Sequence, residues 1–199
     1  MSRSLPAPRA ARLLTLLLLA GSTAFLGAAG AGGQGRVAAL QPMGKLLPDG
    51  DFVYGPALYG WDLRRFIDAK GGFLARYYEP GEQGVRSGAD IVGQVALAYS
   101  ISPRLLLTLI EMHSGWVTQG QPDEQTYPLG GGLPGLGPSL AAAADSLNAR
   151  FYAHRLGGQR DIPGVGRLAE GNAATYALLS FLGEVRAAPP TLPSGSTAT

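Results

Sequence analysis

Residues 107–117, Leu-Thr-Leu-Ile-Glu-Met-His-Ser-Gly-Trp-Val, hold more chemistry than any other stretch: a carboxylate at Glu111, an imidazole at His113, a hydroxyl at Ser114 and an indole at Trp116. Carboxylic acids are the usual proton donors to glycosidic oxygens. Aromatic rings beside such a donor can stack on the apolar faces of sugars. Glu111 and His113 are therefore the candidate catalytic residues, and Ser114, Trp116 and Tyr127 the candidate glycan contacts, with Phe73, Tyr77 and Tyr78 nearby in the same role. A two-carboxylate mechanism would need a second acid about 5 to 9.5 Å away, and Asp123 and Glu124 are the candidates nearest in sequence. Neutral imidazole is a poor donor to a glycosidic oxygen, so His113 is the weaker acid of the two.

A helix must position these groups. Ser102 is expected to cap it and Pro103 to open it, where a missing N–H costs nothing, and the helix should run to about His113. At about 100° per residue, Glu111 and His113 lie about 200° apart and cannot face one cleft together. Arg104, Thr108 and Glu111 fall on one narrow polar stripe, whereas His113 falls among Leu106, Leu109 and Ile110. A guanidinium beside Glu111 would favour the carboxylate, whereas a general acid must carry a proton.

Four further helices are predicted. Asp62 caps one that stops at Gly71-Gly72. Ser87 and Asp90 form a capping box for one carrying Ile91, Val92, Val95, Ala96 and Tyr99. A long one runs from Pro138 to about Leu156 and ends at Gly157-Gly158, and Asn172 caps the last. The stretch from Thr118 to Gly137 is too polar, then too rich in Gly and Pro, for a long element. Strand signals are few, so the expected fold class is all-α.

The 199 residues allow one core. Residues 1–31 read as an export signal: Arg3, Arg9 and Arg12 without an acid, an apolar run from Leu13 to about Leu26, then Ala29-Gly30-Ala31. An uncleaved anchor over the roughly 20 residues from Leu13 to Gly33 is the alternative, and the one route to a membrane. Residues 32–50 read as a linker, 51–187 as the folded domain and 188–199 as a disordered tail. The formal charge of +2 comes from the signal: outside it stand 13 Lys and Arg against 14 Asp and Glu, a net of −1. No clustered positive charge is available for nucleic acid, which is not expected as a partner. The chain has no Cys, so its core must hold it. Two His without a spaced acidic partner give no zinc motif, and Gly130-Gly131-Gly132 lacks the Lys-Ser or Lys-Thr of a phosphate loop. No metal or cofactor is expected.

Residues 98–117, AYSISPRLLLTLIEMHSGWV, resemble the central helix of the lysozyme-like domain of soluble lytic transglycosylases. A closer likeness is to an exported bacterial group in which this domain, with its Ser-Gly-Trp ending, precedes LysM modules or a lysostaphin-type zinc endopeptidase. The resemblance covers about residues 50 to 187 and implies a lysozyme-like helical fold that contacts peptidoglycan or another envelope glycan. The family's catalytic acid directly precedes the serine, and that position here is His113, with Glu111 two residues early. The expectation is an exported, catalytically degenerate glycan-contacting domain. The alternatives are an active peptidoglycan lyase or hydrolase using Glu111, and an anchored envelope module that binds a protein.

Overall fold

A computed structural model of the chain describes residues 45–81, 84–130, 132–162, 165–168 and 170–187. The predicted export signal, the first part of the linker and the predicted tail lie outside the described residues. Residues 45–50, expected as linker, belong to the fold. The Leu46 amide donates to Thr175 Oγ1 at 3.0 Å, the Asn172 side-chain amide donates to Leu47 O at 2.7 Å, and Asp49 Oδ1 accepts from the Ala174 amide at 3.0 Å. The last of these satisfies a free N–H group at the start of the last helix. Together these bonds tie down a Gly- and Pro-containing stretch whose composition alone predicts no structure. The first helix, α1 (Asp49–Phe52), then buries Phe52, whose ring stacks on Phe151 at 4.6 Å.

The predicted helices form, and their ends follow from single residues. Asp62 accepts from the Arg65 amide at 2.9 Å to start α2 (Leu63–Lys70), and Gly71 ends it in the left-handed conformation. Ser87 and Asp90 make the full capping box of α3 (Gly88–Ala98), a device worth about 1 kcal/mol. Pro103 opens α4 (Pro103–Ser114), but the Ser102 side chain makes no cap bond. Ser102 is buried, and its amide instead donates to Phe52 O at 2.8 Å, pinning the α3–α4 turn to the N-terminal segment. The helix α5 (Leu136–Gly157) starts two residues before Pro138 and ends at Gly158, and α6 (Ala173–Ala187) starts at Asn172, whose Oδ1 accepts from the Thr175 amide.

The all-α expectation needs correction in two places. An antiparallel hairpin, β1 (Tyr78–Gly81) and β2 (Gly84–Ser87), pairs Glu79 with Arg86 and Pro80 with Val85. A second, β3 (Asp161–Ile162) and β4 (Gly166–Arg167), precedes α6. The chain is mostly helical with these two small sheets. Strands this short carry no alternation to read, and the inward pair of the first hairpin is charged instead of apolar.

At the centre stands α4, with Leu105, Leu106, Leu107, Leu109 and Ile110 all buried. Only the stripe of Arg104 and Thr108 reaches solvent along its first two turns. This helix packs against α3, which packs in turn against α5, and α5 and α6 lie along one another; Ile91, Val92, Ala96, Leu140, Leu147, Ala174 and Ala177 share one core with α4.

Candidate functional site

The last turn of α4 carries the predicted catalytic residues, and Gly115 ends it with φ 70°. The chain then folds back so that Glu111 meets the segment that follows its own helix. Its Oε2 accepts from the Val117 and Thr118 amides, both at 3.1 Å, and its Oε1 accepts from the Thr118 hydroxyl at 2.6 Å. Both oxygens are thus engaged as acceptors, the natural role of an ionised carboxylate. The expected guanidinium neighbour is turned elsewhere: the Arg104 head lies over the Trp61 ring, 4.9 Å from its centroid.

His113 is partly buried on the opposite side of the helix and faces the Gly130 turn. Its Nε2 is buried without a hydrogen-bond partner among the described residues. Burial pushes its pKa below the ordinary value of 6.5, because charging an imidazole away from water is unfavourable. The ring is therefore neutral at pH 7 and holds no proton that it readily gives up.

Two of the three predicted glycan contacts offer no face to a ligand. The Ser114 hydroxyl is buried and donates to Ile110 O at 3.0 Å. Trp116 is wholly buried: its indole N–H donates to Glu124 O at 2.5 Å, and its ring packs on Phe73 at 4.7 Å and Tyr77 at 4.9 Å. It is a core plug, held there because its large apolar surface outweighs any gain from exposure once its one N–H is satisfied. Tyr127, 39% exposed, remains at the surface, as does Tyr78 at 62%. Glu124, a candidate second acid, spends Oε1 on the Thr126 and Tyr127 amides at 2.6 and 2.8 Å. Asp123 lies in the same loop.

Two features escaped the sequence. The first is Glu79, an acid 9% exposed. It accepts from Arg86 Nη2 at 2.9 Å, the Tyr77 hydroxyl at 3.0 Å, and the Leu136 and Gly137 amides at 3.0 and 3.2 Å. Its charge therefore sits at the N-terminus of α5, where the helix dipole and unpaired amides favour it. A Cβ on Gly137 would lie 2.5 Å from Oε1, so only glycine admits the carboxylate this closely. Burial, with Glu79 adding to it, pushes the Tyr77 phenol above its ordinary range. A Glu and an Arg seven residues apart, on either side of a Pro-Gly pair, were the available signal. The second is a groove of about 380 Å³ bordered by Asp51, Val53, Leu58, Ser102, Arg104 and Thr108. The N-terminal half of the polar stripe lines it, and neither Glu111 nor His113 does.

No group of three or more His, Cys, Asp or Glu suited to a metal occurs among the described residues. Nor is any helix among them long and apolar enough to cross a membrane.

Compared with known proteins, residues 45–192 match the family model described as "LasA, N-terminal domain". No curated protein and no solved structure matches the chain.

Proposed function

The chain belongs to the family of LasA N-terminal domains, and from that membership we propose that it is a non-catalytic N-terminal module of an exported protein working at peptidoglycan, touching the glycan without cleaving it. Membership supports the export and the peptidoglycan setting. The single observation that carries the non-catalytic part is the clamp at Glu111, whose two oxygens receive three hydrogen bonds from Val117 and Thr118. A general acid must hold a proton at one of those oxygens and aim it at the substrate, whereas here both oxygens are turned to the chain's own Val117 and Thr118. His113, in the position where the transglycosylase-like helix carries its acid, is neutral and turned inward. Neither residue fills the post.

The groove beside Arg104 and Thr108 is the surface assigned to glycan contact. Its volume lies within the roughly 300 to 1,000 Å³ of small-ligand sites. Its wall is apolar at Val53, Leu58 and Leu105, and its polar edge is Asp51, Ser102, Arg104 and Thr108. Apolar ring faces with hydroxyl edges match such a lining. The test is co-sedimentation of the full chain with insoluble peptidoglycan. Wild-type protein pellets with the glycan, and Thr108→Trp, which fills the groove from an exposed position, loses most of that binding. Undiminished binding by Thr108→Trp removes the groove from the account. No binding by the wild type replaces the glycan with a protein partner, as for an envelope interaction module.

A further inference from the structure

The helix α5 has an outer face, apolar except for Asp145, that no described element covers. Its inner face gives Leu140, Ala143, Leu147 and Phe151 to the core. On the opposite side Ala142, Asp145, Ala149, Tyr152 and Leu156 are all exposed. They recur at alternating steps of three and four and span an arc of about 80°, which is the spacing of a seam between two helices. Tyr152 is 52% and Leu156 81% exposed, a large outlay of apolar surface on one short stretch. The Tyr152 ring is held in place by the Phe151 ring edge-on at 5.4 Å.

We propose that this seam binds the same seam of a second copy of the chain, antiparallel about a two-fold axis passing Ala149. Laid against itself in reverse, the pattern is self-complementary, as an isologous contact requires. Leu156 lies over Ala142 of the other copy, large against small. The Tyr152 hydroxyl donates to the other Asp145 carboxylate. Ala149 meets Ala149, and the small side chains allow the axes to approach to about 8 Å. A parallel arrangement would instead set Asp145 against Asp145 and Leu156 against Leu156, so charge selects the antiparallel one. The seam is about 21 Å long and covers on the order of 1,000 Å² in total, the low end for specific complexes. The dimer is therefore weak and depends on concentration.

The absence of cysteine from the chain allows a clean test. Under mild oxidation of the full chain at high concentration, Ala149→Cys forms a disulfide-linked dimer, because the two copies of residue 149 face each other. Ala142→Cys alone stays monomeric, since its two copies lie about 21 Å apart along the seam, and the double variant Ala142→Cys, Leu156→Cys links again. Ala149→Arg, on an exposed helical position, keeps its helical circular dichroism and weakens self-association in sedimentation equilibrium at least tenfold. Failure of Ala149→Cys to link, equal linking of Ala142→Cys, a wild type monomeric at every concentration, or unchanged association of Ala149→Arg overturns the proposal.

Discussion

Replacing Glu79 is the perturbation whose size follows most directly from the structure. Its carboxylate receives Arg86, Tyr77 and the first two amides of α5, all within 3.2 Å. Glu79→Ala removes every one of these acceptors at once. The Gly137 amide and the Tyr77 phenol lose their acceptor inside the fold, the Leu136 amide keeps only the Tyr77 hydroxyl at 3.3 Å, and Arg86, whose Nε is already buried without a bond among the described residues, loses its counter-ion. Removing one partner of a buried pair costs about 3 to 5 kcal/mol. Because about a third of the Arg86 side chain reaches water, the lower end applies, about 3 kcal/mol. That is a large part of the roughly 5 to 15 kcal/mol that hold an ordinary domain. Glu79→Gln keeps one oxygen for the amides and loses the charge, for about 1.5 to 2 kcal/mol. Gly137→Ala drives a methyl toward Oε1 and is expected to resemble Glu79→Ala in direction. Urea denaturation followed by far-ultraviolet circular dichroism measures all three. The reasoning is refuted if Glu79→Ala lies within about 0.5 kcal/mol of wild type, the ordinary range of surface changes.

The other predictions concern titration and the buried ring. Tyr77 has a raised pKa in the folded chain, so its ionisation favours the unfolded state: stability present below about pH 10 falls as pH rises beyond it, and Tyr77→Phe removes that alkaline loss in urea titrations across this range. His113 has a lowered pKa when folded, so its contribution is complete above about 6.5 and disappears as pH falls through the folded value; His113→Gln flattens this acid-side slope, and imidazole NMR shifts report the midpoint. Trp116→Ala costs about 3 to 5 kcal/mol as a fully buried aromatic. In a Trp61→Phe background, Trp116 emission does not change when peptidoglycan fragments are added, and a saturable quench would return it to the glycan contacts.

The elements legible in the sequence were those whose ends rest on one residue's local chemistry. Asp62, Gly71, the Ser87 and Asp90 box, Pro103 and Gly158 each satisfy or omit a backbone bond within a few positions, so their meaning survives without tertiary knowledge. The phase of α4 was legible for a similar reason, since Arg104 and Thr108 mark its one exposed stripe. What failed depended on partners distant in sequence. Residues 45–50 look like a linker until Thr175 and Ala174 supply their bonds, and the first hairpin hides because its inward residues, Glu79 and Arg86, are charged. The expectation that Arg104 would sit beside Glu111 took account of one helix only. Trp61, more than 40 residues away, offers its guanidinium a ring face, and the chain reversal after Gly115 offers the carboxylate two amides. Trp116 reads equally well as a sugar platform or a plug, and only its contacts with Phe73 and Tyr77 distinguish them.

The central claim is that Glu111 fastens the end of α4 and transfers no proton to a sugar. The most direct measurement incubates purified peptidoglycan with the full chain, wild type and Glu111→Gln, and quantifies soluble muropeptides, with the urea midpoint of each protein determined alongside. The account predicts no release above the protein-free control from either one, together with a lowered midpoint for Glu111→Gln. Muropeptide release by the wild type that disappears in Glu111→Gln, with the midpoint unchanged, would contradict it.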